Sequence, residues 1–264
     1  MRKRLLSVGL FLSALLPVLA TAQSAFDGTW KIDADKAQLP KEPDVYLLQA
    51  GMYSCKTCVP SYEIKADGQD QKVGGNPYFD TLRVKVVDDR TIEMTQKKAG
   101  KINGTSKWSV SPDGDTLAVV FSDSSATNAD PVNGKGESTR VAKGPAGSHA
   151  LSGSWRSSKI ENISENALLV TYKLEGDTFS MRNPTGQSYS AKLDGTDAPY
   201  KGDPGTTTVS VKQIGRNTIE ESDKRDGKVI GVSRITVAPD GKSMTIIFSD
   251  KLRGTTSEFP AVKQ

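Results

Sequence analysis

The chain has 264 residues, with 35 Lys and Arg against 31 Asp and Glu and 36% of its residues apolar. Three of the basic residues sit at positions 2 to 4, so the rest is nearly electroneutral, and the charges are interleaved, which excludes a nucleic-acid binder acting through a basic surface. With one His and no nucleophile elbow, phosphate-binding Gly loop or HExxH helix, the sequence offers no case for an enzyme, a cofactor or a metal centre.

In chain order, Arg2, Lys3 and Arg4 lead into an apolar run from Leu5 to Ala20 and then Ala20-Thr21-Ala22, the three-part layout of a secretory signal peptide over 1–22. The run is short for a membrane span, and none follows. An exported chain, periplasmic or extracellular and not integral to a membrane once cleaved, is expected. The only cysteines, Cys55 and Cys58 in YSCKTCVP, are then expected to form a short local disulfide. Zinc would need two further ligands, and haem attachment a His where Val59 stands.

Extended segments are predicted near 27–32, 45–49, 51–55, 60–66, 81–87, 91–97, 102–110, 116–122 and 137–142. In the eighth, Leu117, Val119 and Phe121 share one face and Thr116, Ala118 and Ser122 the other. Pro112-Asp113-Gly114 before it reads as a hairpin turn with a bulge. The polar stretch Lys65–Asp80 reads as a long connection, with a lid or a weak calcium site as alternatives.

PDGDTLAVVFSD, from Pro112, returns as PDGKSMTIIFSD from Pro239, and at this shift of 127 residues the halves align without a gap back to Ser61 and Ser188. The starts correspond too, FDGTWKID from Phe26 and LSGSWRSS from Leu151. A long period repeated twice means two tandem domains and not a solenoid. The expected division is 23–143 and 151–264, joined by a flexible linker at 144–150 in which His149 is a solvated side chain. The expected fold is all-β, two tandem antiparallel meander barrels of about eight strands each. The outward Thr, Ser and Lys argue against a membrane barrel.

Gly28-Thr29-Trp30 and Gly153-Ser154-Trp155, each opening a first strand, resemble the lipocalin group and exported bacterial proteins carrying lipocalin-like domains. The resemblance implies barrels whose Trp30 and Trp155 plug the closed end under a basic residue of the last strand. Arg140 matches that residue for copy one, whereas copy two has Glu258-Phe259-Pro260 where an Arg is wanted. It implies an apolar interior, for which Tyr62, Tyr78, Trp108, Tyr189 and Tyr200 are the candidate ligand contacts. The expected function is a secreted or periplasmic binding protein for a small hydrophobic or amphipathic ligand. The alternative is an envelope structural or protein-interaction module with filled barrels.

Overall fold

The computed structural model describes residues 24–126 and 129–264; the predicted signal peptide lies outside them. In chain order the strands are β1 (Gly28–Ile32), β2 (Asp44–Gln49), β3 (Met52–Cys55), β4 (Tyr62–Lys65), β5 (Asp67–Lys72), β6 (Thr81–Asp88), β7 (Thr91–Lys98), β8 (Lys101–Val110), β9 (Thr116–Asp123) and β10 (Val132–Lys143). They continue as β11 (Gly153–Glu161), β12 (Leu169–Glu175), β13 (Thr178–Arg182), β14 (Ser188–Lys192), β15 (Asp194–Pro199), β16 (Thr208–Gly215), β17 (Thr218–Arg225), β18 (Lys228–Val237), β19 (Ser243–Asp250) and β20 (Thr255–Lys263). The only helical pieces among the described residues are two single 3-10 turns, Ala34–Lys36 and Glu165–Ala167.

These strands form two antiparallel sheets of ten, each curled into a nearly closed meander barrel. Ten replaces the expected eight. Part of the difference lies in Lys65–Asp80 and its counterpart 192–207, which are neither lids nor plain connections. Each contains a strand, β5 and β15. Across the seam of each barrel the ends of the sheet are chain neighbours, β4 and β5 meeting at Ala66, β14 and β15 at Leu193.

Barrel 1 is β2 to β11 in unbroken order, β11 pairing with β10 on one side and β2 on the other. Barrel 2 is β12 to β20 plus β1, which fills the gap between β20 and β12. The structural unit is therefore shifted by one strand from the sequence repeat. Residues 153–161 close the first barrel and 28–32 the second, so each barrel takes strands from both copies and the boundaries at 143 and 151 are not barrel boundaries. A hairpin accounts for half of this: β10 runs on into β11 with Lys143 opposite Gly153, so β11 stays with the sheet it leaves.

Alternation fills the interiors. Leu48, Tyr53, Ile64, Leu82, Val84, Ile92, Val110 and Leu117 make one core; Tyr172, Phe179, Val209, Val211, Ile219, Ile235 and Met244 make the other. The predicted hairpins are present in both halves. Gly114 N donates to Ser111 O and Gly241 N to Ala238 O, both at 2.9 Å, with the two glycines in the left-handed region that the bulge requires.

Each barrel is plugged at one end in the same way. Trp30 and Trp155 are fully buried, and the indole Nε1 donates to Phe26 O (2.8 Å) or Leu151 O (2.7 Å), both four residues back. A cation lies over each ring: Arg140 at 3.9 Å from the Trp155 centroid and Lys263 at 5.1 Å from that of Trp30. Arg140 thus caps the tryptophan of the other repeat, because the closing strand comes from there. Lys263 fills the role for which an Arg was sought near Glu258. The connection from β9 to β10 is eight residues, 124–131, against four from β19 to β20, 251–254, so Lys263 falls earlier than a shift of 127 from Arg140 would place it.

Residues 144–150 are not a flexible linker. Arg140 donates to Gly114 O, to Ser152 O (2.8 Å) and to Ala150 O (2.6 Å). His149 N donates to Leu48 O (2.9 Å), Nε2 donates to Asp88 O (2.8 Å) and Nδ1 accepts from Leu151 N (3.1 Å). The segment is a lid of backbone bonds over the closed end of barrel 1. Cys55 and Cys58 form the expected disulfide. No helix among the described residues is long and apolar enough to cross a membrane.

Candidate functional site: the two barrel mouths

At the end opposite each tryptophan the barrels are open, and both mouths hold a cavity built from equivalent residues. In barrel 1 it measures about 220 Å³ and is lined by Met94, Gln96, Gly104, Trp108, Phe121 and Asp123. In barrel 2 it measures about 360 Å³ and includes Asp223, Gly231, Phe248 and Asp250, the residues 127 positions on from Gln96, Gly104, Phe121 and Asp123. The glycines make the room. A Cβ on Gly104 would come within 2.6 Å of Gln96 Oε1, and one on Gly231 within 2.6 Å of the Phe248 ring.

The second cavity is also walled by the first barrel. Val59, Asn76, Pro77 and Tyr78, on loops at the mouth of barrel 1, face Asp203, Thr206, Arg225 and Arg253 of barrel 2. Arg253 pairs with Asp44 at 2.6 Å across this junction. The Tyr78 ring lies on Gly205, where a Cβ would stand 2.2 Å from its hydroxyl. Burial, then the nearby Asp203 carboxylate, pushes the Tyr78 phenol up to about 12.

Below this cavity is the chemical feature that separates the barrels. Glu221 and Asp223, two apart on β17, both point inward; Glu221 is 7% exposed. Tyr189 donates to Glu221 Oε2 at 2.5 Å, and Tyr200 stacks at a tilt on Tyr189, ring centroids 5.7 Å apart. Desolvation, reinforced by the Asp223 charge, pushes the Glu221 carboxyl up to about 8. Asp223 is raised to about 6, again chiefly by burial, while its bond to Glu221 pulls the other way. Asp223 Oδ1 is buried and takes no hydrogen bond from any nitrogen or hydroxyl among the described residues. Burial beside Asp223 favours a proton on Glu221, so the two carboxyls share a proton and titrate together.

The five aromatic candidates separate into three places. Tyr189 and Tyr200 meet in barrel 2 beside Glu221. Tyr62 and Trp108 are both in barrel 1 but not in contact, linked through Tyr53 and Tyr46: Tyr46 sits 5.0 Å edge-on to Trp108 and 6.4 Å from Tyr53, which is 6.4 Å from Tyr62. The Trp108 indole donates to Ser106 Oγ at 2.8 Å. Tyr78 stands alone at the junction. Sequence reading missed Glu221 and Asp223, although the period-two pattern of TIEESDKR places both on the face of the core residue Ile219. Among the described residues no group of three or more His, Cys, Asp or Glu is placed to hold a metal ion.

Compared with known proteins, the chain matches no family model, and no curated protein or solved structure matches it either.

Proposed function

We propose that the protein is an exported binder of small hydrophobic or amphipathic molecules, with one binding cavity at the mouth of each barrel. The observation that carries this reading is the recurrence of the same glycine, phenylalanine and aspartate around both cavities, at Gly104, Phe121, Asp123 and Gly231, Phe248, Asp250. A small residue that leaves space beside a large apolar ring, rimmed by one or two polar groups, is the composition of a ligand pocket, and the larger cavity falls within the usual size range. A lipocalin-like descent is part of the proposal. The tryptophan under a basic side chain at one end and an open mouth at the other support it.

The test is a titration with N-phenyl-1-naphthylamine, whose fluorescence rises in apolar surroundings. Saturable binding with two sites is expected. Gly104→Leu and Gly231→Leu, which fill the cavities, should each remove one of them. No saturable signal with the intact protein would refute the reading. A second reading, a protein-interaction module with no ligand, draws support from the interiors, which between plug and mouth are filled by Tyr53, Leu82, Ile92, Phe179 and Ile219.

A further inference from the structure

We propose that β1 is an exchangeable closing strand through which the protein pairs with a second copy of itself, each molecule inserting Gly28–Ile32 and its Trp30 plug into barrel 2 of the other.

The two closing strands are held very differently. β11 leaves β10 through a hairpin and is tied to it by Arg140, whose guanidinium covers Trp155 and binds three carbonyls. β1 is reached from its neighbours β12 and β20 by no turn at all; its chain continues into barrel 1 through 33–43. It pairs with β20 over three residues, Trp30 to Ile32, and with β12 over four, whereas β11, which meets β2 over three, is held to β10 over eight. Its capping cation is the weaker of the two, Lys263 Nζ being 5.1 Å from the ring and 3.4 Å from Ala25 O. The strand that barrel 2 needs is therefore the one most easily released.

Release is costly to barrel 2 and so drives refilling. Without β1 the edges of β12 and β20 lose their partners, and the sites of Phe26 and Trp30, both at most 1% exposed, stand empty. An identical strand from another chain satisfies every one of those groups, which is the condition for exchange between copies, and reciprocal exchange closes as a two-fold dimer.

The tether marks where the exchange would pivot. Asp33 N donates to Pro260 O and Gln38 N to Glu258 O, both at 2.8 Å, so the stretch up to Gln38 belongs with barrel 2. Lys41 O accepts from Arg156 Nε at 2.8 Å and belongs with barrel 1. The pivot is Leu39-Pro40, where proline biases the preceding residue to extended chain and disfavours folding back. A tether of this kind gives β1 an effective concentration in its own barrel of the order of millimolar, so exchange competes when chains refold at about 1 mM and not at about 10 µM.

Thr29 and Thr171 are direct partners across β1 and β12, their hydroxyls 2.9 Å apart, so the double variant Thr29→Cys with Thr171→Cys reports which chain donates the strand. The full chain is refolded at both concentrations, sized by chromatography with light scattering, oxidised and run on a non-reducing gel. The expected result is a dimer from the concentrated sample alone, with the 29–171 cross-link joining two chains. No dimer from the concentrated sample, or a dimer whose 29–171 cross-link lies within each chain, overturns the proposal. If the cysteine pair does not fold, removal of Leu39 and Pro40 from the otherwise unaltered chain decides it. A shorter tether should raise the small dimer fraction of the sample refolded at about 10 µM about tenfold, and an unchanged fraction overturns the proposal as firmly.

Discussion

Barrel 1 and barrel 2 share a strand order, a plug and a mouth, yet differ in how they close and in what they bury. The first is one continuous stretch from Asp44 to Glu161; the second waits for a strand from the far end of the chain. The first lines its interior at positions 94 and 96 with Met and Gln; the second puts Glu221 and Asp223 at the equivalent places, 127 residues on. Barrel 1 shows that the fold does not need acids there. Burying two carboxyl groups costs stability that Met and Gln do not.

The largest expected effect breaks the symmetry of closure. A fragment spanning 40–162 should fold and unfold cooperatively by calorimetry, while 162–264, deprived of β1, Phe26 and Trp30, should not. Adding a peptide of residues 24–36 to the second fragment should restore a transition. Cooperative unfolding of 162–264 without the peptide would show that β1 is dispensable.

Next come the plugs. Trp30→Ala and Trp155→Ala should each cost about 3–5 kcal/mol, as expected for a fully buried large aromatic. Their caps should not be equal. Arg140→Ala removes three carbonyl bonds and should destabilise more than Lys263→Ala, with chemical denaturation as the measurement; equal losses would contradict the geometry.

The acids sharpen the comparison through pH. A carboxyl whose folded value is raised binds its proton more tightly in the native state than in the unfolded one, so it favours the fold fully below the ordinary carboxylate range, and that contribution is lost as pH rises through the folded value. Barrel 2 should therefore lose stability between about pH 4.5 and the value near 8 reached by Glu221. The loss is on the order of a few kcal/mol. Glu221→Met, which copies barrel 1, should flatten this slope and stabilise barrel 2 at pH 8. An unaltered pH profile would mean that the pair carries no shared proton.

The smallest effect tests a pair of turns. Ala99 and Asp226 occupy the same position, both in the left-handed region at φ 49° and 52°, before Gly100 and Gly227. Alanine is poorly suited to it and aspartate better, so Ala99→Asp should stabilise barrel 1 by about 0.5–1 kcal/mol, read as a shift in its denaturation midpoint.

Much of this was legible in the sequence because alternation and turn chemistry are local. Leu117 and Met244 lie inward as the period of two requires, and the Pro-Asp-Gly hairpins stand where the turn residues put them; the two tryptophans are buried, but each in the barrel of the other repeat. What was not legible depends on pairing between distant segments. β5 reads as a loop because DGQDQK has no apolar face; it is held by its ladder to β6 and by Asp70, which pairs with Arg83 and Lys97. The two opening strands carry the same Gly-x-Trp pattern, so either could close either barrel, and only the hairpin from β10 and the span of 33–43 decide. Glu221 and Asp223 sit on the inward face of β17 with Ile219, but no local motif sets these two acids apart from the others in the chain.

Because β1 and β20 lie side by side, the chain's two described ends meet: Gln264 N donates to Thr29 O at 2.9 Å. Both described ends therefore lie at the β1–β20 edge of the second barrel. Splicing Gln264 to Ser24 through a few glycines and cutting instead within 162–168 would yield a circular permutant in which every strand of each barrel follows the last without interruption.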